Sequence, residues 1–326
     1  MRVLVTGGAG FIGSHLVEAL IGNGHSVVVV DDYSTGSKEN LRAVESHDSF
    51  HMVEGNCLDR DLMHPLVAEC ELCVHLAAAV GVRLIVERPV HTIETNVRAT
   101  EIVLEAAAER GRAVLLASTS EVYGKSTKVP FHEDDDISLG PTSRSRWAYA
   151  CSKALDEWLA LAYRAERGVP VTIVRFFNTV GPRQTGRYGM VLPTFARQAL
   201  KNEPITVFGD GEQSRCFGHV KDAVEAVQRL MSSPGAIGRV FNVGNDEEVS
   251  MRRLAELVRE AAGSSSEIKL VPYDQAYTEG FEDMPRRMPD LRRLEEATGF
   301  RPRTPLATII EDVLEDQRGR LASPNP

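Results

Sequence analysis

Tyr149 and Lys153 stand four residues apart in RWAYACSKALDEW, a spacing that sets both side chains on one face of a helix. A phenol beside an ammonium can surrender its proton near neutrality when a second positive charge lies close, so the pair is a candidate base toward a hydroxyl. Upstream, in AVLLASTSEVYGK, an apolar run ends in Ser118, Thr119, Ser120 and Glu121, three hydroxyls followed by a carboxylate. Further upstream, VTGGAGFIGSHL spaces Gly7, Gly10 and Gly13 as G-x-x-G-x-x-G. Glycines so placed let backbone amides and a helix N-terminus meet a pyrophosphate. A second apolar run then ends at Asp31, whose carboxylate accepts both hydroxyls of an adenine ribose and repels a 2′-phosphate. The sequence therefore predicts NAD rather than NADP. Tyr-x-x-x-Lys alone is common on surfaces; in company with the glycine turn and STSE it reads as catalytic.

These residues need a scaffold that gathers them. RVLVTG, SVVVVDD, SFHMVEG, LCVHLAA, AVLLAST and VTIVRFFN read as buried parallel strands, with helices between them near 12–22, 59–68, 90–110 and 145–167. That alternation predicts an α/β fold: a doubly wound, parallel-sheet Rossmann domain that delivers Thr119 at the carboxyl end of a strand, where open α/β sheets place ligands. Beyond about residue 180 the rhythm breaks into Gly and Pro turns, which predicts a smaller C-terminal substrate-binding lobe. The expected division is 1–180 for NAD, with 219–243 returning to the sheet, and the remainder of 181–326 for the substrate. The acidic run Glu133-Asp134-Asp135-Asp136 reads as a solvated loop.

Composition bounds the partners. With 326 residues and 43% hydrophobic content the chain can bury a large core. Its 46 acidic against 37 basic residues disfavour nucleic acid or an anionic membrane as partner. Five cysteines argue against a disulfide framework and for a reducing cytoplasm. Cys70-x-x-Cys73 has no second pair or histidine cluster, so it is read as structural and no metal is expected. MRVLVTGGAGFIG is too short in apolar run for a signal core, and no run approaches a membrane span.

The chain resembles the extended short-chain dehydrogenase/reductases that act on nucleotide sugars, over essentially its whole length. The resemblance rests on the glycine turn at 7–13, HLAA at 75–78, Asn96, the hydroxyl at Thr119, Tyr149-x-x-x-Lys153 and RFFNTVGPR at 175–183. It implies that Thr119 hydrogen-bonds the sugar's 4-oxygen while Tyr149 takes its proton and NAD takes the C4 hydride. For the cofactor it implies Gly7, Gly10, Phe11, Ile12 and Gly13 at the turn, and Asp31, Asp32, Asn56 and Cys57 on the adenosine side. Leu76, Ala77, Ala78, Asn96, Tyr149, Lys153 and Phe176 complete that set. For the nucleotide sugar it implies Asn178, Arg183, Arg187, Val191, Arg215 and Arg287, with GMVLPTF and PITVFGDG matching uracil-side walls through Thr206 and Phe208; UDP is preferred. It also implies a homodimer through the helices near 90–110 and 145–167, with Leu159, Leu161 and Ala162 offering apolar surface.

Glu121 separates the subfamilies. Epimerases of this group resemble SSSATVYG and carry no carboxylate there, 4,6-dehydratases show Asp-Glu after the Thr, and here Ser120 stands for that Asp. TSE resembles UDP-glucuronate decarboxylases and some GDP-mannose dehydratases. AYTEGFEDMPRRMPDLRRLEEATGFRP, including Arg287, resembles the decarboxylase carboxyl-terminal signature. The resemblance thus implies a UDP-glucuronate decarboxylase making UDP-4-keto-pentose or UDP-xylose, with Thr119, Ser120, Glu121, Tyr149, Lys153 and Arg287 as its catalytic set. A UDP-sugar 4-epimerase is the alternative, kept open by Gly218-His219 and by the AAAVGVRLIVERP loop. A non-catalytic dinucleotide sensor is a third reading, against which the chain retains both Tyr149 and Lys153. On a strand Glu121 would point to the same side as Thr119; beside a substrate carboxylate it would be pushed toward carrying a proton or would disfavour that carboxylate and promote loss of CO2, and the alternative is that it only pairs with an arginine such as Arg287.

Overall fold

Valine and leucine runs near the N-terminus form strands whose two faces are both covered, as a parallel sheet requires. The structure, a computed structural model, describes residues 1–81, 87–186, 190–272, 275, 284 and 286–322. In chain order the first half runs β1 (Arg2–Thr6), α1 (Phe11–Gly22), β2 (Ser26–Asp31), β3 (Phe50–Glu54), α2 (Arg60–Glu69), β4 (Leu72–His75), α3 (Pro89–Arg110), β5 (Ala113–Thr119), α4 (Arg146–Arg167) and β6 (Val171–Phe176). The second half runs β7 (Thr179–Val180), α5 (Val191–Leu200), β8 (Ile205–Phe208), β9 (Ser214–Cys216), β10 (Gly218–His219), α6 (Val220–Met231), β11 (Val240–Val243), β12 (Glu248–Ser250), α7 (Met251–Ala262), β13 (Ile268–Val271), β14 (Arg286–Arg287), α8 (Arg292–Thr298) and α9 (Leu306–Ala322). The predicted helices lie within a residue of those found.

Among the described residues the main sheet has seven strands in the order β11-β6-β5-β4-β1-β2-β3, all parallel. Strand side chains alternate between faces. Val3, Val5, Val27 and Val29 therefore join the core under α1 and α6, while Leu4, Val28 and Val30 join the one under α2, α3 and α4. The order reverses between β1 and β4, which makes the crevice at their carboxyl ends the expected ligand site.

The remaining strands form smaller sheets: β13 with β8, β10 with β7, and β12-β9-β14. A separate core under α5, α7 and α9 supports them. The acidic run departs from the solvated loop expected of it. Glu133 is buried, accepts from the backbone of Asn242 at 2.9 Å and lies 3.5 Å from Arg293 Nε. A buried carboxylate needs such partners. Asp135 accepts from His132 N at 2.8 Å, and Asp134 pairs with Arg293.

Candidate active site

The turn after β1 fits a dinucleotide. Gly7 adopts φ +69°, and a Cβ there would stand 2.9 Å from Ala77 N; at Gly13 a Cβ would run into Gly7 O. Backbone therefore fills the space that side chains would take. α1 begins at Gly10 with no side-chain cap, so its first-turn N–H groups are presented to an anion. Asp31 ends β2 and is held in place by N–H donors from Ala9 (2.9 Å to Oδ2) and Tyr33 (2.8 Å to Oδ1). Burial pushes its carboxyl above the usual range, against those two donors.

Asp32 and Asn56 join the neighbouring strand ends through a 2.9 Å hydrogen bond from Asn56 Nδ2. Cys57 is buried and its thiol is pushed up to about 12 by burial, which leaves it a packing residue beside Asp31. Phe11, Ile12, Leu76 and Phe176 are half-buried against the core. Ala77 N donates to Thr6 Oγ1 at 3.2 Å, Ala78 is half-buried, and Asn96 Oδ1 accepts from Ala79 N at 2.8 Å. Asn96 Nδ2 also donates to Ser152 Oγ at 3.3 Å, which ties this loop to α4. These residues would hold NAD. Asp31→Ala should weaken NAD and relax discrimination against NADP, checked by titrating both cofactors; an unchanged preference would move the ribose elsewhere.

One face of α4 carries Arg146, Tyr149, Lys153, Asp156 and Glu157, at steps of three, four, three and one. Tyr149 is half-buried and its hydroxyl pairs with Thr119. The Thr119 Oγ1 accepts from Glu121 N at 3.2 Å, so its own proton is left to donate outward. Ser118 instead donates to Glu157, which is clamped by Arg175 at 2.7 Å, so this hydroxyl serves the core. Ser120 is buried at the start of the turn spanning Ser120–Tyr123.

Lys153 also serves a carboxylate on its own helix. Its Nζ is buried and donates to Asp156 Oδ2 at 2.8 Å, and Asp156 is fully buried. Burial of the Tyr149 hydroxyl raises the phenol, Glu121 and Asp156 raise it further, and the Thr119 hydrogen bond and Arg146 oppose them. Lys153, shared with Asp156, is not enough to make Tyr149 a base near neutrality; the second positive charge is required.

Glu121 departs from the strand expected for it. β5 stops at Thr119 and the chain enters a 3-10 turn at once, so Glu121 is not on a strand. Arg146 donates to both carboxylate oxygens, at 2.9 Å from Nη2 to Oε1 and also from Nη1 to Oε2. Arg287 donates from Nη2 to Oε1 at 3.0 Å. Arg287 lies in register with Arg215 across β14 and β9, and both are buried, whereas Arg286 turns outward to Glu248. Burial alone would raise the Glu121 carboxyl; Arg146, Arg287 and Arg215 outweigh it and bring it down to about 2. These guanidiniums favour the Glu121 anion and so oppose the proton that a neighbouring substrate carboxylate is expected to place on it. Three guanidiniums around one carboxylate leave net positive charge for a phosphate or a second carboxylate.

The other nucleotide-sugar residues divide. Asn178, at φ +29°, donates from Nδ2 to Cys216 O at 3.0 Å and anchors the end of β9. Arg183 is committed to α1, donating to Ser14 Oγ at 3.2 Å and Glu18 at 2.6 Å, so its guanidinium does not join the arginine cluster. Thr206 accepts from Gln198 Nε2 at 2.9 Å, and it and Phe208 lie on the face of β8 opposite the buried Ile205 and Val207. Val191 opens α5, half-buried. Arg187 lies outside the described residues. Sequence reasoning missed Arg146 and Asp156. Their signal was available in the spacing, since each lies a multiple of three or four residues from Tyr149 or Lys153.

Residues 3–244 match the model of the NAD dependent epimerase/dehydratase family. The chain is 44% identical over 302 residues to the UDP-N-acetyl-alpha-D-glucosaminuronate decarboxylase of Bacillus cytotoxicus, covering 92% of each protein. It is 37% identical over 321 residues to UDP-glucuronic acid decarboxylase 1 of Arabidopsis thaliana, covering 98% of this chain and 71% of that one. In fold it is similar to a UDP-glucose 4-epimerase of Thermotoga maritima solved with UDP-glucose, at TM-score 0.88, 30% identity and coverage of 98% and 100%. It is similar likewise to a UDP-glucuronic acid 4-epimerase of Bacillus cereus solved with UDP-glucuronic acid and NAD, at TM-score 0.88, 26% identity and coverage of 98% and 99%.

Proposed function

The chain belongs to the NAD dependent epimerase/dehydratase family, and within it we propose that it is a UDP-glucuronate decarboxylase. The observation that carries this reading is the ionised Glu121 gripped by Arg146 and Arg287 on the turn that leaves Thr119. Such a site offers excess positive charge to an acidic sugar while setting a fixed anion beside the reacting hydroxyls. NAD, when bound, accepts the C4 hydrogen as hydride and can return it. Tyr149 takes the proton of the C4 hydroxyl, and Thr119 orients that oxygen. A ketone at C4 is β to the C6 carboxylate, so the C5–C6 electron pair passes to the C4 oxygen as CO2 departs. Hydroxyl donors from Tyr149 and Thr119 stabilise the oxyanion that forms. Protonation at C5 gives the 4-keto-pentose, and reduction at C4 gives UDP-xylose.

Two further readings have an observation behind them. The Bacillus cytotoxicus relative favours an acetamido group at C2 of the same hexuronate, which leaves the chemistry at C4 to C6 unchanged. The epimerase folds favour inversion at C4 with the carboxylate kept. Incubation with UDP-glucuronate and, separately, UDP-N-acetylglucosaminuronate, followed by mass spectrometry, distinguishes all three. Loss of CO2 from the first is the expected result; loss only from the second would reassign C2, and an unchanged mass from both would sink the decarboxylase.

We also propose a homodimer through the two helices that the sequence suggested. Leu159 and Leu161 are half-buried against the core. Ala162 is exposed, and the large exposed apolar side chains of the same two helices are Val90, Ile93, Leu155 and Trp158, the last 60% exposed. α3 and α4 pack side by side, so a second copy that covered both helices would bury these side chains. Light scattering at micromolar concentration should report a dimer, and Trp158→Arg a monomer; a monomeric wild type would contradict this. The proposed division assigns 1–180 and 219–243 to the cofactor and the rest to the sugar nucleotide. All five cysteines are free, which supports a cytoplasmic location. Among the described residues no helix is long and apolar enough to cross a membrane.

A further inference from the structure

We infer that Arg146 is a positioning residue for the decarboxylation half of the reaction: it ties Glu121 to the helix that carries Tyr149, so that base and carboxylate keep one fixed relation. The inference rests on the proposed decarboxylase activity and deepens it. Arg146 is the first residue of α4, only 2% exposed, and three residues before Tyr149. A cation in the first turn of a helix opposes the macrodipole, and α4 has neither an acidic residue in that turn nor a side-chain cap to offset it. A guanidinium buried there is tolerable only with a paired anion. That anion is Glu121, met through two hydrogen bonds in the planar fork geometry that an ammonium cannot reproduce.

The groups around Glu121 come from every side. Arg146 belongs to α4, Arg287 to β14, Arg215 to β9, and Tyr149 stands one turn along α4. Behind Arg146 lies the Trp147 ring, 5.8 Å from the guanidinium and 5.8 Å from Lys125. Arg287 ties Glu121 to the second lobe, whereas Arg146 ties it to the helix of the base. Losing Arg146 leaves a buried carboxylate with fewer opposing cations, and its protonation then rises toward the working pH.

The test is a single turnover of the holoenzyme with UDP-glucuronate, following NADH absorbance and CO2 release between about pH 5.5 and 8.5. Wild type should release CO2 at a rate not limited by Glu121 protonation anywhere in that range. Arg146→Gln should slow CO2 release relative to NADH formation by about 10²-fold, the size expected of a misplaced group, and should add a fall in CO2 release as pH is lowered. Arg146→Lys should remove that acid limb in part. Glu121→Gln combined with Arg146→Gln should be no slower than Glu121→Gln alone. Equal loss of both steps with parallel pH profiles, or a multiplicative double variant, would overturn the inference. Wild type that forms no CO2 would sink the decarboxylase reading instead. Arg146 is then tested by infrared titration of the unliganded protein, with the Glu121 carboxylate identified by subtracting Glu121→Gln. The band should stay ionised to lower pH in wild type than in Arg146→Gln or, if that variant does not fold, in Arg146→Lys; coincident titrations would overturn it.

Discussion

Tyr149→Phe is expected to keep its fold and its NAD but to lose about 10²- to 10⁴-fold in turnover, the range that removal of a positioned acid or base commands. The substitution deletes one oxygen from a half-buried ring and leaves the α4 backbone and the Lys153–Asp156 pair untouched. The protein's own groups raise the phenol above its ordinary range. Wild-type oxidation should therefore speed up as pH rises, and the residual rate of the variant should not. Steady-state rates and the NAD content of the purified protein check this. A variant within a few-fold of wild type would remove Tyr149 from the role.

Glu121→Gln is expected to form NADH from UDP-glucuronate yet release CO2 far more slowly, because the fixed anion beside the C5–C6 bond is gone while Thr119 and Tyr149 remain. Neutralising one member of a buried ionic cluster should also cost about 3–5 kcal/mol of stability. Since the wild-type carboxyl is held down to about 2, its stabilisation is complete above the ordinary carboxylate range and is lost progressively as pH falls from that range through about 2. The variant should lack that acid transition in an unfolding series. Arg287→Ala should weaken substrate binding as well as turnover, because it removes the Glu121 link to β14 and positive charge from the cluster. Rapid-mixing absorbance alongside CO2 release separates the steps. Wild-type CO2 release from Glu121→Gln would count against the account.

The sequence discloses most where chemistry is local. The glycine turn, Asp31 and the Tyr149–Lys153 face each follow from backbone or helical geometry within a few residues, and all lie where that geometry puts them. Glu121 was visible as an oddity but its state was not. Its partners are 25 and 166 residues away, and which cations reach a carboxylate decides whether it holds a proton. The pairing of Lys153 with Asp156 is legible at three residues' spacing, but that spacing alone does not say whether the ammonium turns to Asp156 or to Tyr149. Glu133 reads as solvated because acidic runs usually are; Asn242 and Arg293, from distant segments, draw it inward. Of the residues read as apolar surface, Ala162 is exposed and Leu159 and Leu161 are half-buried, since the spacing of leucines on α4 does not reveal which stripe faces the core and which faces outward.

The most direct test of a decarboxylase is the fate of C6. UDP-glucuronate labelled with ¹³C at C6, incubated with the holoenzyme and followed by NMR, should yield one labelled CO2 for each sugar consumed, with an unlabelled UDP-pentose or UDP-4-keto-pentose left behind. A label that stays in a C4-inverted hexuronate would contradict the account and give the site to an epimerase.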